Sequence, residues 1–350
     1  MWRRIWRFLR FEIPWYLSAG PKKPFSAQLR EALRLYRLYR YPPYHYVKHG
    51  LFLKSCKANV EEYIPPELIM RYRDSCNPPE AHDLVRDKLR FERILSEAGL
   101  PVVSTLALIH SDGSLTDTEG NRLEALPDPA EEKRLVLKPR YSGQGRGVRV
   151  LDAGRSGKLR VDPKAFAAEL FQASGVELYL IQPYITQHPL LAEMNPTSVN
   201  TLRIDTFIEG EKVYINSALL RVGGPGSLID NLCQGGLLVG VDLSTGRLKR
   251  FGRTGAAFGG DWCERHPGTG FRFEGTELPF FKEALSLVKE AAPLLLPLRC
   301  LGWDLILTPG GPVFLEANHD YGVFSLQEAR GGYRSAPLGR ALLGKTPIPS

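Results

Sequence analysis

The sequence predicts an α+β protein, and three features carry that expectation. Segments of helical period and β-rich runs follow one another without the strict alternation of a doubly wound parallel sheet. Two apolar runs flank Pro309-Gly310-Gly311, which is the pattern of an antiparallel hairpin near the C-terminus. No apolar run approaches the ~18 residues that a bilayer-spanning helix needs.

The elements follow in order. Residues 2–11 place Trp2, Ile5, Trp6 and Leu9 on one stripe of a helix, with Arg3, Arg7 and Arg10 beside or opposite it. A second basic helix is predicted from a Ser26 cap to Arg40, with Leu29, Leu33 and Tyr36 at 3–4 spacing and Arg30, Arg34 and Arg37 as a charged face. Pro42-Pro43 stops it. His82–Ala98 reads as an amphipathic helix ended by Gly99, followed by a β-rich run over Val102–Ile109. Leu135–Leu137 is a short buried strand leading into a glycine-rich loop. A helix around Pro163–Ala173 and a strand at Leu178–Gln182 come next. Strands at Thr201–Ile208 and Lys212–Leu220, a helix over Phe280–Leu295 and the hairpin strands Trp303–Leu307 and Val313–Ala317 complete the list. Three regions result: a basic aromatic helical segment, 1–60; a first subdomain, 61–185; and a second, 186–345.

Charge sharpens the division. The chain carries 46 Lys and Arg against 38 Asp and Glu, a net charge of +8. Residues 1–60 hold 13 of those bases and only Glu12 and Glu31 as acids, a net of +11, so the remainder is slightly acidic at −3. A nucleic-acid partner is therefore disfavoured. The basic segment has two better readings: packing on the body with solvated arginines, or docking of residues 1–40 on an anionic membrane, where Trp and Arg suit the headgroup layer. Arg3, Arg4, Arg7 and Arg10 interrupt any signal-peptide core, so no secretory leader is expected and the chain is assigned to the cytoplasm, with peripheral attachment to the inner membrane face as the second reading. Cys56, Cys76, Cys233, Cys263 and Cys300 are scattered without a CxxC pair and read as reduced thiols. His45 and His49 share a helix face, but a third metal ligand is not in sight.

Three constellations carry chemistry. In the first, Lys138 ends a strand and is followed by Ser142, Gly143, Gly145 and Gly147. An ammonium neutralises phosphate charge and glycines let backbone N–H groups approach phosphate oxygens; a plain hairpin turn is the alternative. In the second, a loop over residues 309–311 pairs Thr308 with Pro312 and sets Asp304 opposite Glu316. Alternation then places Asp304, Glu316 and Asn318 on one face and Leu305, Leu307, Val313 and Leu315 on the other. Two facing carboxylates about 5 Å apart call for a cation, and an oxygen-only set suits Mg²⁺. In the third, Asn200 opens a strand that alternates Leu202 and Ile204 with Thr201, Arg203 and Asp205. An arginine in a β-rich core needs either Asp205 or an anionic ligand as partner. The loop Asp230–Gly236 either lines a pocket or is a turn.

Taken in order, these motifs resemble the ATP-grasp superfamily, and most closely its sugar-transfer-associated branch, over about residues 80–340. The match rests on Asp87-Lys88, Lys138 with its glycine loop, Leu180-Ile-Gln-Pro-Tyr-Ile185, Ser198–Thr206, Asp230–Gly236 and the Asp304, Glu316, Asn318 set. The resemblance implies two α+β subdomains with ATP between their sheets. It implies that Lys88 and Lys138 neutralise phosphates while Gly143–Gly147 close over them. Backbone groups at Gln182, Pro183, Tyr184 and Ile185 would hold adenine, and Asn200 joins the nucleotide-binding set. Asp304, Glu316 and Asn318 would hold two Mg²⁺, and Arg203 with Lys138 would stabilise the transferring phosphoryl group. Many relatives carry an arginine two residues before the metal aspartate; here that residue is Gly302, so either another arginine serves or the charge stabilisation is weaker. The implied reaction is ligation of a carboxylate to an amine or other nucleophile through an acylphosphate, in polysaccharide or surface glycoconjugate assembly, with Asn231, Gln234, Gly235 and Gly236 as substrate candidates. His188 and His319 are expected to be polar lining. Phosphorylation of a sugar or lipid hydroxyl, or nucleotide binding without catalysis, are the alternatives.

Overall fold

The computed structural model describes residues 10, 12–125, 134–143, 146–152, 170, 176–227, 230, 235–255 and 260–344. The expected helices over 2–11 and 163–173 fall largely outside them, as do Gly145, Asn231 and Gln234. The fold is α+β, with two antiparallel sheets. The smaller is built from β1 (Ala107–His110), β2 (Leu115–Thr116), β3 (Arg122–Leu123), β4 (Arg134–Pro139), β5 (Arg149–Asp152) and β6 (Leu178–Pro183), ordered β3-β2-β1-β6-β4-β5. The larger contains β7 (Thr201–Glu209), β8 (Lys212–Val222), β9 (Leu237–Val241), β10 (Leu248–Thr254), β11 (Trp262–Cys263), β12 (Cys300–Thr308) and β13 (Gly311–Asn318), ordered β11-β10-β9-β8-β7-β12-β13.

Alternation along the strands decides what faces what. In the larger sheet Leu202, Ile204, Leu220, Val239, Trp303 and Leu305 point to one side, where Phe91, Leu95, Ala284 and Val288 of helices Lys88–Glu97 and Phe281–Ala291 cover them. Their neighbours Arg203, Arg221 and Asp304 point to the other side. Farther along that side Phe207, Leu219 and Tyr333 form a second core with helices Pro66–Ser75, Val323–Arg330 and Pro337–Leu342. In the smaller sheet Leu135, Leu137, Tyr179 and Ile181 build a third core, which leaves Val136, Lys138 and Gln182 on the opposite face. The two polar-bearing faces enclose the cavities described below.

Several elements depart from expectation for identifiable reasons. The predicted His82–Ala98 helix breaks at Asp87, which adopts extended backbone and caps Lys88–Glu97 by accepting from Leu89 N and Arg90 N. Of the run 102–109 only Ala107–His110 is strand in the smaller sheet; Val102 bridges to Phe314 and Val103 N donates to Phe314 O, so this stretch ties the two sheets together. Helix Phe25–Tyr39 forms, but Ser26 is inside it and Pro24 is the cap residue. It packs through Leu35 and Tyr39, whereas the stripe Leu29, Leu33 and Tyr36 remains exposed. Trp15, Tyr39, Tyr46, Leu51 and Phe52 pack in the same core, so residues 12–64 are joined to the body. Among the described residues no helix is long and apolar enough to cross a membrane.

Candidate functional site

The hairpin β12–β13 supplies the acids. Its turn is tighter than expected: Thr308 pairs with Gly311 and Leu307 with Pro312, one step out of the predicted register. A β-bulge between Asp304 and Leu305 restores the pairing of Asp304 with Glu316. The bulge also changes the faces. Phe314, not Val313 and Leu315, joins the core with Leu305 and Leu307, while Leu315 turns to the cavity beside Glu316. Gly302 is explained by packing, since a Cβ there would lie 2.8 Å from Tyr321 Cβ. An arginine at 302 would therefore collide with Tyr321.

A neighbouring strand provides the guanidinium instead. Arg203 stands directly opposite Asp304 in the β7–β12 ladder, and its Nη2 donates to Asp304 Oδ2 at 2.6 Å while Nε donates to Oδ1 at 2.5 Å. The partner is thus neither Asp205 nor only a ligand; Asp205 instead accepts from Ser217 and Tyr333 inside the second core. Arg221 on β8 donates to Asp304 Oδ2 at 3.0 Å and reaches Asp230 Oδ1 at 3.2 Å, making a chain Arg203–Asp304–Arg221–Asp230. Burial alone would raise the Asp304 carboxyl, but Arg203 and Arg221 outweigh it and hold the group below its usual range. Glu316 goes the other way, pushed up by burial and by facing Asp304, despite Lys88 and Lys138.

Lys138 projects from β4 into the same space, fully enclosed, and burial lowers its amine to about 8 against the pull of Glu316. Lys88, the first residue of its helix, donates to Ser142 O at 2.8 Å and lies 3.2 Å from Ser142 Oγ. Asp87 fixes this corner by accepting from Arg140 Nε at 2.9 Å and Nη2 at 2.5 Å as well as capping the helix. Gly147 has φ +77°, and a Cβ there would sit 2.8 Å from Pro139 Cγ, so the loop needs glycine to fold back on the strand end.

Two cavities meet here. One, about 440 Å³, runs between the sheets; Val103, Val136, Val150, Ile306 and Leu315 give it apolar walls, and Gln182, Pro183, Tyr184 and Ile185 one edge. Gln182 Nε2 donates to Val103 O at 3.2 Å and to Thr105 Oγ1 at 3.1 Å, and Arg134 stacks 3.6 Å over Tyr184. The other, about 550 Å³, carries Arg86, Arg146, Gly143, Asn318 and His319. Lys88, Ser142, Arg221 and Glu316 line both.

Not every expected residue takes part. Asn200 lines neither cavity. It is buried, with Nδ2 donating to Leu191 O at 2.8 Å and Gln187 Oε1 at 3.0 Å, and Oδ1 accepting from Gly223 N at 3.1 Å. Its task is to hold the start of β7 against the loop at Gly223, which corrects its assignment to the nucleotide. Asn200→Ala should cost about 2–4 kcal/mol in urea unfolding, since several buried groups lose partners at once. Gly235 and Gly236 line neither cavity; a Cβ on Gly224 would lie 2.4 Å from Gly235 O, so close packing of loops explains the glycine there. His188 caps the helix Pro189–Met194, and His319 stacks on His82 with centroids 3.7 Å apart at the wall of the larger cavity. Sequence reasoning missed Arg221, Arg134, Arg86 and Arg146. Arg221 was findable: it lies on the same face of β8 as Ser217 and Leu219 in a strand otherwise free of charge after Lys212.

Asp304 and Glu316 face each other across the ladder, and two buried carboxylates so placed repel unless a cation or a proton lies between them. The three arginine N–H contacts leave Asp304 one of its ~four acceptor directions. With the amide oxygen of Asn318, whose Nδ2 donates to Glu316 Oε1 at 3.2 Å, the set is oxygen-only and fits Mg²⁺ between the two carboxylates. Among the described residues no group of three or more His, Cys, Asp or Glu is placed to hold a metal, so the carboxylates alone do not make a complete set.

Comparison with known proteins follows from this geometry. No curated protein sequence matches the chain. Among solved structures, the ATP-grasp ligase PsnB with its minimal precursor is 19% identical, with a TM-score of 0.41 over 77% of this chain and 64% of that one. An L-amino acid ligase from Bacillus licheniformis is 13% identical, with a TM-score of 0.42 over 74% and 48% of the two chains. The D-alanine-D-alanine ligase from Coxiella burnetii is 9% identical, with a TM-score of 0.41 over 75% and 56%. This chain thus spans less than two thirds of the length of each. At the level of sequence, the profile of the sugar-transfer associated ATP-grasp family matches residues 67–332, which include both lysines, the glycine loop and the acidic hairpin. The chain, with its two antiparallel sheets around a cavity of lysines and acids, belongs to the sugar-transfer associated ATP-grasp family.

Proposed function

We propose that the protein is an ATP- and Mg²⁺-dependent ligase that joins a carboxylate to an amine or another nucleophile. The observation that carries this reading is the meeting of two cavities at Lys88, Ser142, Arg221 and Glu316. ATP fits the narrower, apolar-walled one, with adenine at Gln182–Ile185 and its phosphates directed to Lys138, Lys88 and the glycine loop. The acidic hairpin with Asn318 would hold the magnesium ions, which supply neutralisation of phosphate charge. The larger cavity takes the carboxylate, drawn by Arg86 and Arg146, and Arg203 is the nearest fixed cation to the transferred group.

In the proposed reaction a carboxylate oxygen attacks the γ-phosphorus and the bond to the bridging oxygen breaks, so that ADP leaves with the electron pair. The amine nitrogen then attacks the acyl carbon, phosphate departs with the electrons of the C–O bond, and the nitrogen loses its proton. The protein's part is to orient the reactants, keep water out and hold positive charge where negative charge gathers. A cytoplasmic setting supplies ATP, and the family's association with sugar transfer supports a substrate from polysaccharide or glycoconjugate assembly.

Incubation with ATP, Mg²⁺ and pools of amino acids and uronic acids tests the reading. ADP and free phosphate should appear in equal amounts, dependent on both an acid and an amine. A stable phosphorylated product without free phosphate would show a kinase and overturn the ligase assignment.

A further inference from the structure

Helix Phe25–Tyr39 has one apolar face more than its packing uses. Leu35 and Tyr39 are buried in the second core, and on that side Tyr16 donates to Gln28, Tyr46 to Glu31, and Tyr39 to Glu61 O. These contacts fix which way the helix is rolled. A second side, centred about 100° round the helix from the buried one, presents Phe25, Leu29, Leu33 and Tyr36, which are 76%, 49%, 45% and 48% exposed. At ~100° per residue they fall within an arc about 80° wide along a helix about 22 Å long.

Basic residues border this stripe. Arg30, Arg34 and Arg37 are exposed and occupy the next part of the circumference, and the exposed Arg40 ends the helix as its cap residue. Arg34 pairs with Glu61, whereas among the described residues no carboxylate pairs with Arg30, Arg37 or Arg40. An exposed apolar stripe rimmed by polar residues marks a docking surface, and guanidinium groups without a carboxylate partner favour an anionic one. Apolar side chains beside arginines, on a helix held parallel to the surface of the protein, match the layered chemistry of an anionic bilayer: acyl chains below, phosphates above. The net charge of +11 over residues 1–60 is complementary to such a surface.

We infer that the outer face of helix Phe25–Tyr39 docks the protein on an anionic lipid bilayer, with Phe25, Leu29, Leu33 and Tyr36 in the acyl boundary and the arginines at the phosphates. The site's cavities are unaffected by this face, so the inference stands apart from the ligase reading.

Co-sedimentation of the full chain with vesicles of phosphatidylcholine alone, or with one third phosphatidylglycerol, tests it. Binding is expected only to the anionic vesicles. Arg30→Gln/Arg37→Gln/Arg40→Gln should weaken it about a hundredfold, since each basic residue at such a surface contributes about fivefold. Leu29→Ser/Leu33→Ser/Tyr36→Ser should weaken it at least tenfold while leaving ATP consumption and the melting temperature unchanged, because these half-exposed side chains are not part of the core. The inference is overturned if the full chain does not sediment with anionic vesicles, or if the serine variant binds as well as the parent. It is also overturned if the parent self-associates in sedimentation velocity and the serine variant does not, because a second copy then covers the stripe.

Discussion

Asp304→Asn and Glu316→Gln should each lower ATP turnover by about 10²–10³-fold, the usual cost of removing one preorganised charged group from a reaction centre. They should move stability in opposite directions. Asp304 is buried between Arg203 and Arg221, and its carboxyl is held below the ordinary range by them despite its burial. Replacing it leaves the Arg203 guanidinium in a buried site without its counter-charge, an effect of about 3–5 kcal/mol for a broken buried pair. Glu316 is raised by burial and by Asp304, which means its ionised form is disfavoured in the fold. Glu316→Gln removes that penalty, so its melting temperature should equal or exceed the parent's at pH 7. The sign follows from linkage: an acid raised in the folded state loses stability as pH climbs from its unfolded value of 4.5, so the advantage of Glu316→Gln disappears below that pH. Urea unfolding at pH 4 and pH 7 with parallel ADP assays checks both arms. Equal destabilisation of the two variants would show that the acids act as a structural pair, not as a cation site.

The hairpin shows how far sequence logic reached and where it stopped. Opposition of Asp304 and Glu316 follows from the strand period and the turn, and it holds, but through two offsetting departures: a shorter turn and a bulge at Leu305. A bulge has no sequence mark beyond the odd residue it inserts, so the inward turn of Leu315 was not readable. Lys138 and Gln182 both line the cavity because they lie in short strands whose apolar neighbours fix the face. Asn200 does not line it, and an amide at the start of a strand looks the same whether it meets a ligand or, as here, five protein atoms. Its network with Gln187, Asn195 and Ser198 joins residues from three turns of chain that only the fold brings together.

The same limit applied to the arginines. A sequence reveals that Arg203 must have a partner but not which of Asp205, Asp230 and Asp304 lies across the ladder. That choice is made by the order β8-β7-β12, which sets Arg203 between Leu219 and Asp304 and sends Asp205 toward Tyr333. For helix Phe25–Tyr39 the period was legible and the roll was not. The apolar residues form two stripes, and only tertiary contacts with Glu61 and Tyr46 select the one that faces inward.

Lys138→Met should weaken ATP binding about 10- to 100-fold, which is what a charge-assisted contact to phosphate contributes. Methionine is nearly the same length and apolar, and burial already lowers the amine to about 8, so the substitution should leave stability unchanged or raise it. The pH profile separates charge from shape. Phosphate binding favours the protonated amine, so the contribution of Lys138 is fully present below pH 8 and is lost as pH rises through that value. The dissociation constant of ATP, measured calorimetrically with Mg²⁺ from pH 7 to pH 9.5, should therefore climb above pH 8 in the parent. In Lys138→Met it should start higher, and the part of the climb due to this residue should be absent, leaving only what Lys88 adds. Identical slopes in the two proteins would mean that Lys138 holds the sheet together and does not meet the nucleotide.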